Sequence, residues 1–578
     1  MTPNAHRIRT TTAVAALLAA VALAGPPTVS AATTPTVNGT TLTLTGDDAA
    51  DRVVVGEDAG LLTATVNGTP LDLGAALPAN NTIDLVANAG GGDDEITITT
   101  ANLKSVTADG GAGDDVITGN NDADTLSGGD GDDRIVGARG GDTMNGGTGN
   151  DVLVWNDGDG SDVMNGDGNA DEIEVNGGLT QVDEFTIKPN PADPTRVRFD
   201  RINRGLFNLN ISAERITVNG LGGDDKVTGE AGLAPLIAVT ANGGPGADVL
   251  NGGDGADLLN GGDDNDTLNG GAGNDRLVGD RGADTMNGGD GEDTTVWNNG
   301  DGSDVMNGEA GTDRVEVNGA NTAETFTVAP NGARAKFDRT SAGAFSLDIG
   351  SAEALDLRAL AGDDTFTASP GLGALLAVLA DGGAGNDTLT GGEGPDLLDG
   401  QDGDDTLRAR DGQSDMVRGG PGTDSAQTDT FGVDVVNTVE SVDATPAPVV
   451  TPPPAADTTA TAARVRTGRP AVAIRRGRAS TRLSVECPAA EAGGCAGTLT
   501  LVSAKPLRIG SAKVIAVLGS ARYTLKAGER KTVTVALPKG VRKLAVKRAI
   551  AARAQTVSRD AAGNVAVASR AVSLRFAR

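Results

Sequence analysis

The chain has 578 residues, of which 85 are glycine and only 2% are aromatic, and its formal net charge is −32. A globule of this length normally buries many large apolar side chains, so this composition excludes an ordinary compact core. An acidic disordered chain would have a similar composition, but disorder requires no fixed spacing, and the spacing in this chain is strict.

Residues 1–31 predict a signal peptide. Arg7 and Arg9 precede a short apolar stretch at 11–24, and small residues follow as far as Ala31. This order is typical of a secretory signal, and the stretch is too short to span a bilayer. No other apolar run is long enough to cross a membrane. We therefore expect a secreted, extracellular protein, and any association with a cell surface would be non-covalent.

Alternating apolar and polar residues at 33–109 predict an N-terminal β-solenoid segment. Between Gly110 and Val154 an aspartate recurs every nine residues, and a large apolar residue follows each one by two positions, as in Asp115-x-Ile117. Nine residues are two and a half helical turns, so a helix would scatter these aspartates around its surface. The period instead predicts repeating turns, each followed by a short strand.

The nine-residue period occurs in three repeat blocks, 110–174, 243–316 and 382–443, of which the last includes a cap. The spacers 175–242 and 317–381 alternate apolar and polar residues, so we expect more strands of the same solenoid there. A longer repeat contains the short one. Trp155-Asn156 recurs as Trp297-Asn298, and the triplet Phe-Asp-Arg at 199–201 recurs at 337–339.

Glycine and aspartate in one turn can supply oxygen ligands together. Glycine permits positive φ and close backbone approach, so a Gly-Gly-x-Gly turn can aim carbonyl oxygens toward the aspartate. Neighbouring strands lie ~4.8 Å apart, and two carboxylates about 5 Å apart repel by about 3 kcal/mol at an effective dielectric of about 20. A divalent cation would turn this repulsion into cohesion, and flexible all-oxygen sites favour Ca²⁺ over Mg²⁺.

The pattern Gly-Gly-x-Gly-x-Asp-x-U-x, where U is a large aliphatic residue, resembles the RTX (repeats-in-toxin) calcium-binding β-roll proteins. The resemblance covers residues 110–174, 243–316 and 382–427. It implies an all-β fold, a right-handed parallel β-roll in which two nonapeptides form one coil and several Ca²⁺ ions lie between turns. The implied aspartate ligands are Asp115, Asp124, Asp133, Asp142, Asp151, Asp162, Asp171, Asp248, Asp257, Asp266, Asp275, Asp284, Asp293, Asp304, Asp313, Asp387, Asp396 and Asp405. The implied carbonyl ligands belong to glycines such as Gly110, Gly128, Gly243, Gly252 and Gly382.

The residues argue against an enzyme. The only histidine, His6, lies in the predicted signal peptide, so the mature chain would lack histidine for a zinc site or a Ser-His-Asp relay. Carboxylate-only glycosidase chemistry stays open on residue count, but the turns account for the acids. Trp155 and Trp297 are expected in bulges that cover the roll rather than in a sugar platform. A calcium-stabilised secreted hydrolase and a carbohydrate-binding protein are the alternatives.

The C-terminal part differs in charge and pattern. A Pro/Thr/Ala linker at 444–465 leads to 466–578, where short alternating segments predict a small antiparallel β-sandwich. This region resembles bacterial immunoglobulin-like or fibronectin-like modules. Residues 467–578 contain 22 Lys and Arg against 4 Asp and Glu, a balance that suits cell-wall polymers or polysaccharide, although a solvated basic surface explains it equally well. Nucleic acid is not expected, because no stacking aromatic residues accompany the charge.

Two cysteines, Cys487 and Cys495, are the only ones in the chain. An exported protein tolerates a disulfide, so we expect a bridge between them, with two free thiols as the alternative. Taken together, the residues predict a secreted calcium-binding scaffold, structural or adhesive, that folds when it meets Ca²⁺ outside the cell. Extracellular modules bind calcium with Kd of ~10⁻⁴–10⁻³ M, so the chain would stay loose in a low-calcium cytoplasm.

Overall fold

The structure is a computed structural model. It describes residues 35–444 apart from 75, 342 and 430–432, and then the stretches 464–466, 471–475, 478–487, 495–503, 507–509, 512–514, 517–526, 529–537, 550–559 and 565–576. The predicted signal peptide and nearly all of the predicted linker lie outside these residues. None of the helices in the described part of the chain is long and apolar enough to cross a membrane.

Apart from turns and bends, the described residues form β-strands, with one short 3-10 helix at Leu372–Ala374. The strands that begin before residue 180 are Thr36–Asn38, Thr41–Thr45, Arg52–Asp58, Leu61–Val66, Thr69–Pro70, Asp84–Gly91, Glu95–Ile98, Ser105–Ala112, Val116–Thr118, Asp124–Asp130, Arg134–Val136, Thr143–Thr148, Val152–Asn156, Val163–Gly168 and Glu172–Asn176. Those from 184 to 350 are Glu184–Asn190, Asp193–Arg201, Phe207–Ser212, Arg215–Asn219, Lys226–Gly229, Ala238–Pro245, Val249–Asp254, Leu258–Asp263, Thr267–Ala272, Arg276–Arg281, Thr285–Gly291, Thr294–Asn298, Val305–Gly311, Arg314–Asn318, Thr325–Asn331, Arg334–Arg339 and Phe345–Gly350. Those from 354 to 443 are Ala354–Arg358, Thr365–Ala368, Ala377–Ala384, Thr388–Thr390, Leu397–Asp402, Thr406–Arg408, Met416–Arg418, Ser425–Gln427, Val435–Asn437 and Ser441–Asp443. The C-terminal strands are Arg464–Arg466, Ala471–Arg475, Arg478–Glu486, Cys495–Ser503, Leu507–Ile509, Ala512–Val514, Val517–Leu525, Arg530–Leu537, Ile550–Arg559 and Val565–Phe576.

The strands up to residue 443 form a parallel β-solenoid of about 18 turns, so the predicted all-β solenoid is confirmed. The chain divides into two compact units, one that runs to Glu174 and includes 208–214, and one that comprises 175–207 and 215–578. In the first unit, Leu126 lies beside Met144, and on a second sheet Ile135 lies beside Leu153. Each pair is 18 residues apart, which confirms that two nonapeptides make one coil.

The core of each coil comes from the aliphatic position of the nonapeptide. In the first unit Ile117, Ile135 and Leu153 stack on one sheet and are fully buried. In the second unit Leu250 and Leu268 stack in the same way. Large aliphatic side chains at every ninth residue, stacked from coil to coil, therefore form the core of the repeats.

The two tryptophans enlarge this core. Trp155 and Trp297 are fully buried, and each indole N–H donates a hydrogen bond of 2.9 Å to a carbonyl five residues later, that of Gly160 or Gly302. The Trp-Asn insertion lengthens the coil from 18 to 20 residues, as the register from Met144 to Met164 shows. The expectation that these residues cover the roll is wrong, because the longer coil has room to bury the indole.

The spacers continue the parallel sheets and add antiparallel hairpins. In the second unit the spacer strand Lys226–Gly229 pairs with Val249–Asp254, and Thr365–Ala368 pairs with Thr388–Thr390. The division into three repeat blocks is therefore not confirmed by strand pairing. Within the spacers, the strands at 184–190 and 193–201 form one hairpin, and those at 325–331 and 334–339 form another.

The described C-terminal segments form small antiparallel sheets. Arg478–Glu486 pairs with Arg530–Leu537, and Cys495–Ser503 pairs with both Val517–Leu525 and Ile550–Arg559. Val485 is among the fully buried residues. Cys487 is disulfide-bonded, as the predicted bridge requires, since Cys495 is the only other cysteine. An immunoglobulin-like sandwich stays a prediction for this region.

Candidate metal centres

The repeat aspartates hydrogen-bond to the backbone of the neighbouring coil. The Oδ1 atom of Asp133 accepts a bond of 2.8 Å from the backbone N–H of Asp115, 18 residues earlier. Asp151 accepts in the same way from Asp133 at 2.8 Å. This arrangement repeats along the solenoid, so the acids form continuous columns, which we call acid ladders.

Six acid ladders occur among the described residues, two in the first unit and four in the second. Those of the first unit are Asp51, Asp94, Asp115, Asp133, Asp151, Asp171 and Glu214, and Asp124, Asp142 and Asp162. Those of the second unit are Asp183, Asp225, Asp248, Asp266, Asp284 and Asp304; Asp257, Asp275, Asp293, Asp313 and Glu353; Glu324, Asp364, Asp387, Asp405, Asp424 and Glu440; and Asp396, Asp415 and Asp434. Every aspartate predicted as a ligand belongs to one of them.

The predicted aspartate ligands are all buried, with at most 5% of the residue surface exposed. In all of them except Asp162 and Asp396, one carboxylate oxygen is buried without a hydrogen-bond partner. A buried polar atom without a partner is costly, and a buried carboxylate oxygen more so. Binding of cations or protonation of the carboxylates would remove the energetic cost of such a row of oxygens.

The predicted glycines lie directly against these oxygens. A Cβ atom at Gly243 would stand 2.1 Å from Oδ2 of Asp248 and 2.6 Å from the carbonyl oxygen of Gly261 in the next coil. At Gly128 it would stand 2.0 Å from Oδ2 of Asp133. Any side chain would fill this space. A carboxylate oxygen and a carbonyl oxygen from two coils thus converge where only glycine fits. The other predicted glycines, Gly110, Gly252 and Gly382, lie in the same way against Asp115, Asp257 and Asp387.

Burial shifts the protonation of the acid ladders. Loss of hydration raises the pKa of Asp133 to about 7 and that of Asp266 to about 8. Backbone N–H donors oppose the shift, and neighbouring carboxylates add to it. Burial raises the pKa of Asp415 to about 9, and repulsion from Asp396, Asp411 and Asp434 adds to the shift. These groups resist ionisation at neutral pH as long as nothing positive lies beside them.

The structure adds acids that the sequence pattern did not single out. Asp94, Asp225 and Asp364 are buried, each has an oxygen without a partner, and burial raises the pKa of each to about 7. They lie in the degenerate nonapeptides AGGGDDEIT at 89–97, GLGGDDKVT at 220–228 and ALAGDDTFT at 359–367. The retained Gly-Asp-Asp-x-apolar core is the signal that would have found them. Asp51, Asp415 and Asp424 are also buried, with one such oxygen each.

The donor set fits calcium better than a softer metal. No cluster of three or more His, Cys, Asp or Glu side chains surrounds a single point anywhere in the described part of the chain. Positions such as Gly243 instead offer a carboxylate oxygen and a backbone carbonyl oxygen, those of Asp248 and Gly261. Oxygen-only ligands of this kind suit a hard cation, and flexible turns suit Ca²⁺. A cation held by such ligands would neutralise the carboxylates of neighbouring coils.

A comparison with protein families agrees with this geometry. The RTX calcium-binding nonapeptide repeat (4 copies) matches residues 107–135, 118–153, 240–268, 260–295, 300–321 and 381–416. No curated protein matches the chain. The matched segments carry all of the predicted aspartate ligands except Asp162 and Asp171. The chain thus contains RTX calcium-binding nonapeptide repeats, folded as a parallel β-solenoid.

Proposed function

We propose that this protein is a secreted scaffold, structural or adhesive, whose solenoid becomes rigid when Ca²⁺ binds along the acid ladders. The observation that carries this proposal is the row of buried carboxylate oxygens without partners, most of which lie against a glycine. The aspartates predicted from the sequence would be the ligands, and Asp94, Asp225 and Asp364 would extend the set. Calcium in the millimolar range outside a cell is enough for sites of this class.

A passive role rather than catalysis is supported by what the acids do. Each ladder aspartate is engaged with the backbone of the next coil, as Asp266 is with Asp248 at 2.7 Å. Trp155 and Trp297, the largest aromatic side chains, are buried in the core and offer no surface for a sugar. Secretion is proposed from the predicted signal peptide and from the RTX repeats. Contacts of the basic C-terminal region with cell-wall polymers stay a prediction.

Replacing one ladder carboxylate with an amide should stabilise the calcium-free protein but weaken its binding of calcium. Asp266→Asn keeps an oxygen that can accept from the Asp248 N–H. It removes an ionisable carboxyl group, whose pKa burial raises to about 8. We expect the calcium-free chain to become more stable and the calcium affinity to fall about tenfold or more, because ligand charge sets affinity. Thermal unfolding in chelator and calcium titration measure the two effects.

Asp263→Asn is the matched control. Asp263 lies three residues away on the exposed side of the same turn and pairs there with Arg281 at 3.4 Å. This variant should change neither the thermal stability in chelator nor the calcium affinity measurably, since exposed ion pairs contribute little to stability. Equal calcium affinity in Asp266→Asn and in the unaltered protein would contradict the proposed calcium role of the ladder.

A further inference from the structure

Two acids of the ladders differ from the rest, because an arginine neutralises them. Arg339 Nη1 lies 2.6 Å from Glu324 Oε1, and both side chains are buried, with 6% and 3% exposed. Arg201 Nη1 lies 3.2 Å from Asp183 Oδ1, with 5% and 0% exposed. Glu324 and Asp183 are the first acids of their ladders, since their N–H groups donate to Asp364 and Asp225 at 2.6 Å.

The spacer hairpins deliver these arginines. Phe326 pairs with Arg339 across the hairpin 325–339, so the returning strand ends beside the acid that precedes the hairpin. The register of the first hairpin places Arg201 opposite Phe185 in the same way. The recurring Phe-Asp-Arg triplet of the sequence thus serves to bring a guanidinium back to the ladder.

Each guanidinium is held on several sides. Arg339 donates to the carbonyl oxygen of Gly343 through Nε at 2.8 Å and to Asn299 Oδ1 through Nη1 at 2.7 Å. Its Cζ lies 5.2 Å from the Trp297 ring centre and 5.0 Å from that of Phe345. Fixed partners and aromatic faces of this kind favour an arginine cation in a buried position.

The acids paired with arginine have no oxygen left over. Oε1 of Glu324 accepts from Arg339, and Oε2 accepts from the backbone N–H of Ala320 at 2.6 Å. Asp183 is satisfied likewise by Arg201 and by the N–H of Gly178 at 2.8 Å. Asp364 and Asp225, the next acids along the two ladders, each keep an oxygen without a partner. The change from a satisfied to an unsatisfied carboxylate therefore occurs within one coil.

We propose that Arg201 and Arg339 are built-in cations that take, in the two hairpin coils, the place that Ca²⁺ takes in the nonapeptide coils. Each gives its ladder a calcium-independent end, from which calcium orders the following coils. This inference rests on the proposed function, since it assumes that calcium neutralises the remaining acids. It assigns Glu324 and Asp183 to arginine and excludes them from the calcium ligands.

Hydrogen exchange of the full secreted chain, followed by mass spectrometry with calcium and with chelator, tests the proposal. In chelator, the amides of 325–339 should stay protected while those of the turns at 243–316 exchange quickly. Arg339→Gln should lower the protection of the hairpin at least about tenfold, because a buried charge loses its partner. Millimolar Ca²⁺ should restore that protection, since Glu324 then resembles the other ladder acids.

Two further variants separate charge from packing. Lys336→Gln, on the same strand, removes only an exposed pair with Asp338 and should leave the hairpin protected. The double variant Glu324→Gln/Arg339→Gln should recover protection without calcium, because no charge stays buried. A hairpin that exchanges as fast as the turns in chelator, or equal behaviour of Arg339→Gln and Lys336→Gln, would overturn the inference. Turns that are protected equally with and without calcium would instead overturn the proposed function.

Discussion

Adding Ca²⁺ to the calcium-free chain at neutral pH should produce a large, cooperative gain of β-sheet signal in far-ultraviolet circular dichroism. The acid ladders stack buried carboxylates one coil apart, and most have an oxygen without a partner. Neighbouring charges about 5 Å apart cost about 3 kcal/mol each at an effective dielectric of about 20. This cost recurs from coil to coil, so neutralising one coil favours the next and the transition should be cooperative.

Magnesium at the same concentration is the control for this experiment. Mg²⁺ prefers a tight octahedron and keeps its waters, so it should induce much less β-sheet signal than Ca²⁺. Chelator should return the spectrum to its starting form. A spectrum that is unchanged by calcium would mean that the ladders are satisfied in some other way.

Acid should partly replace calcium. Burial raises the pKa of Asp142 to about 8 and those of Asp248 and Asp284 to about 7, from an ordinary value of 3.8. When the pKa of a carboxyl group is higher in the folded chain than in the unfolded chain, protonation favours the folded state. This stabilisation is complete below the pKa of the unfolded chain and is lost as the pH rises through the pKa of the folded chain. The calcium-free solenoid should therefore be most stable in mild acid and lose stability between about pH 4 and pH 8.

Thermal unfolding of metal-stripped protein at pH 8, 7, 6 and 5 measures this effect, and pH 5 stays above the isoelectric point of about 4.3. The midpoint should rise as the pH falls. Calcium affinity should move the other way and weaken in acid, because protons and Ca²⁺ compete for the same oxygens. A calcium-free midpoint that falls steadily from pH 8 to pH 5 would be inconsistent with buried, ionisation-resistant ladder acids.

The nine-residue period predicted repeating turns with short strands, and the resemblance to RTX proteins implied that two nonapeptides form one coil. An aliphatic residue two positions after each aspartate implied a short strand, and Ile117, Ile135 and Leu153 indeed stack in the core. Two consecutive periods close one coil, so the aspartates of alternate repeats come into register. The sequence also implied repulsion between acids, but the bonds from backbone N–H to Oδ1 depend on coil geometry that no periodicity reveals.

The spacers were harder to interpret because tertiary contacts replace the motif there. Leu221 and Leu360 occupy a position where the motif has glycine, yet both adopt positive φ, 74° and 78°. A search for Gly-Gly therefore overlooks Asp225 and Asp364, although their turns follow the same path. Such backbone conformations are costly for leucine, and the stacked coils on either side hold them in place.

The arginine pairs could not be predicted from spacing alone. Arg339 lies 15 residues after Glu324, and Arg201 lies 18 after Asp183. In each case an antiparallel hairpin returns the chain to the acid, and the alternating residues at 175–242 gave no sign that a hairpin interrupts the parallel coils. The repeated Phe-Asp-Arg triplet was visible, but its role depends on which acid the returning strand meets.

Isothermal titration calorimetry of the full chain with Ca²⁺ at neutral pH tests most directly the claim that the acid ladders are calcium sites. The account predicts that several ions bind per chain, with affinities of ~10⁻⁴–10⁻³ M or tighter. Proton release should accompany binding, because acids such as Asp266 are partly protonated before calcium arrives. The absence of binding heat and of proton release at millimolar Ca²⁺, in more than one buffer, would contradict it.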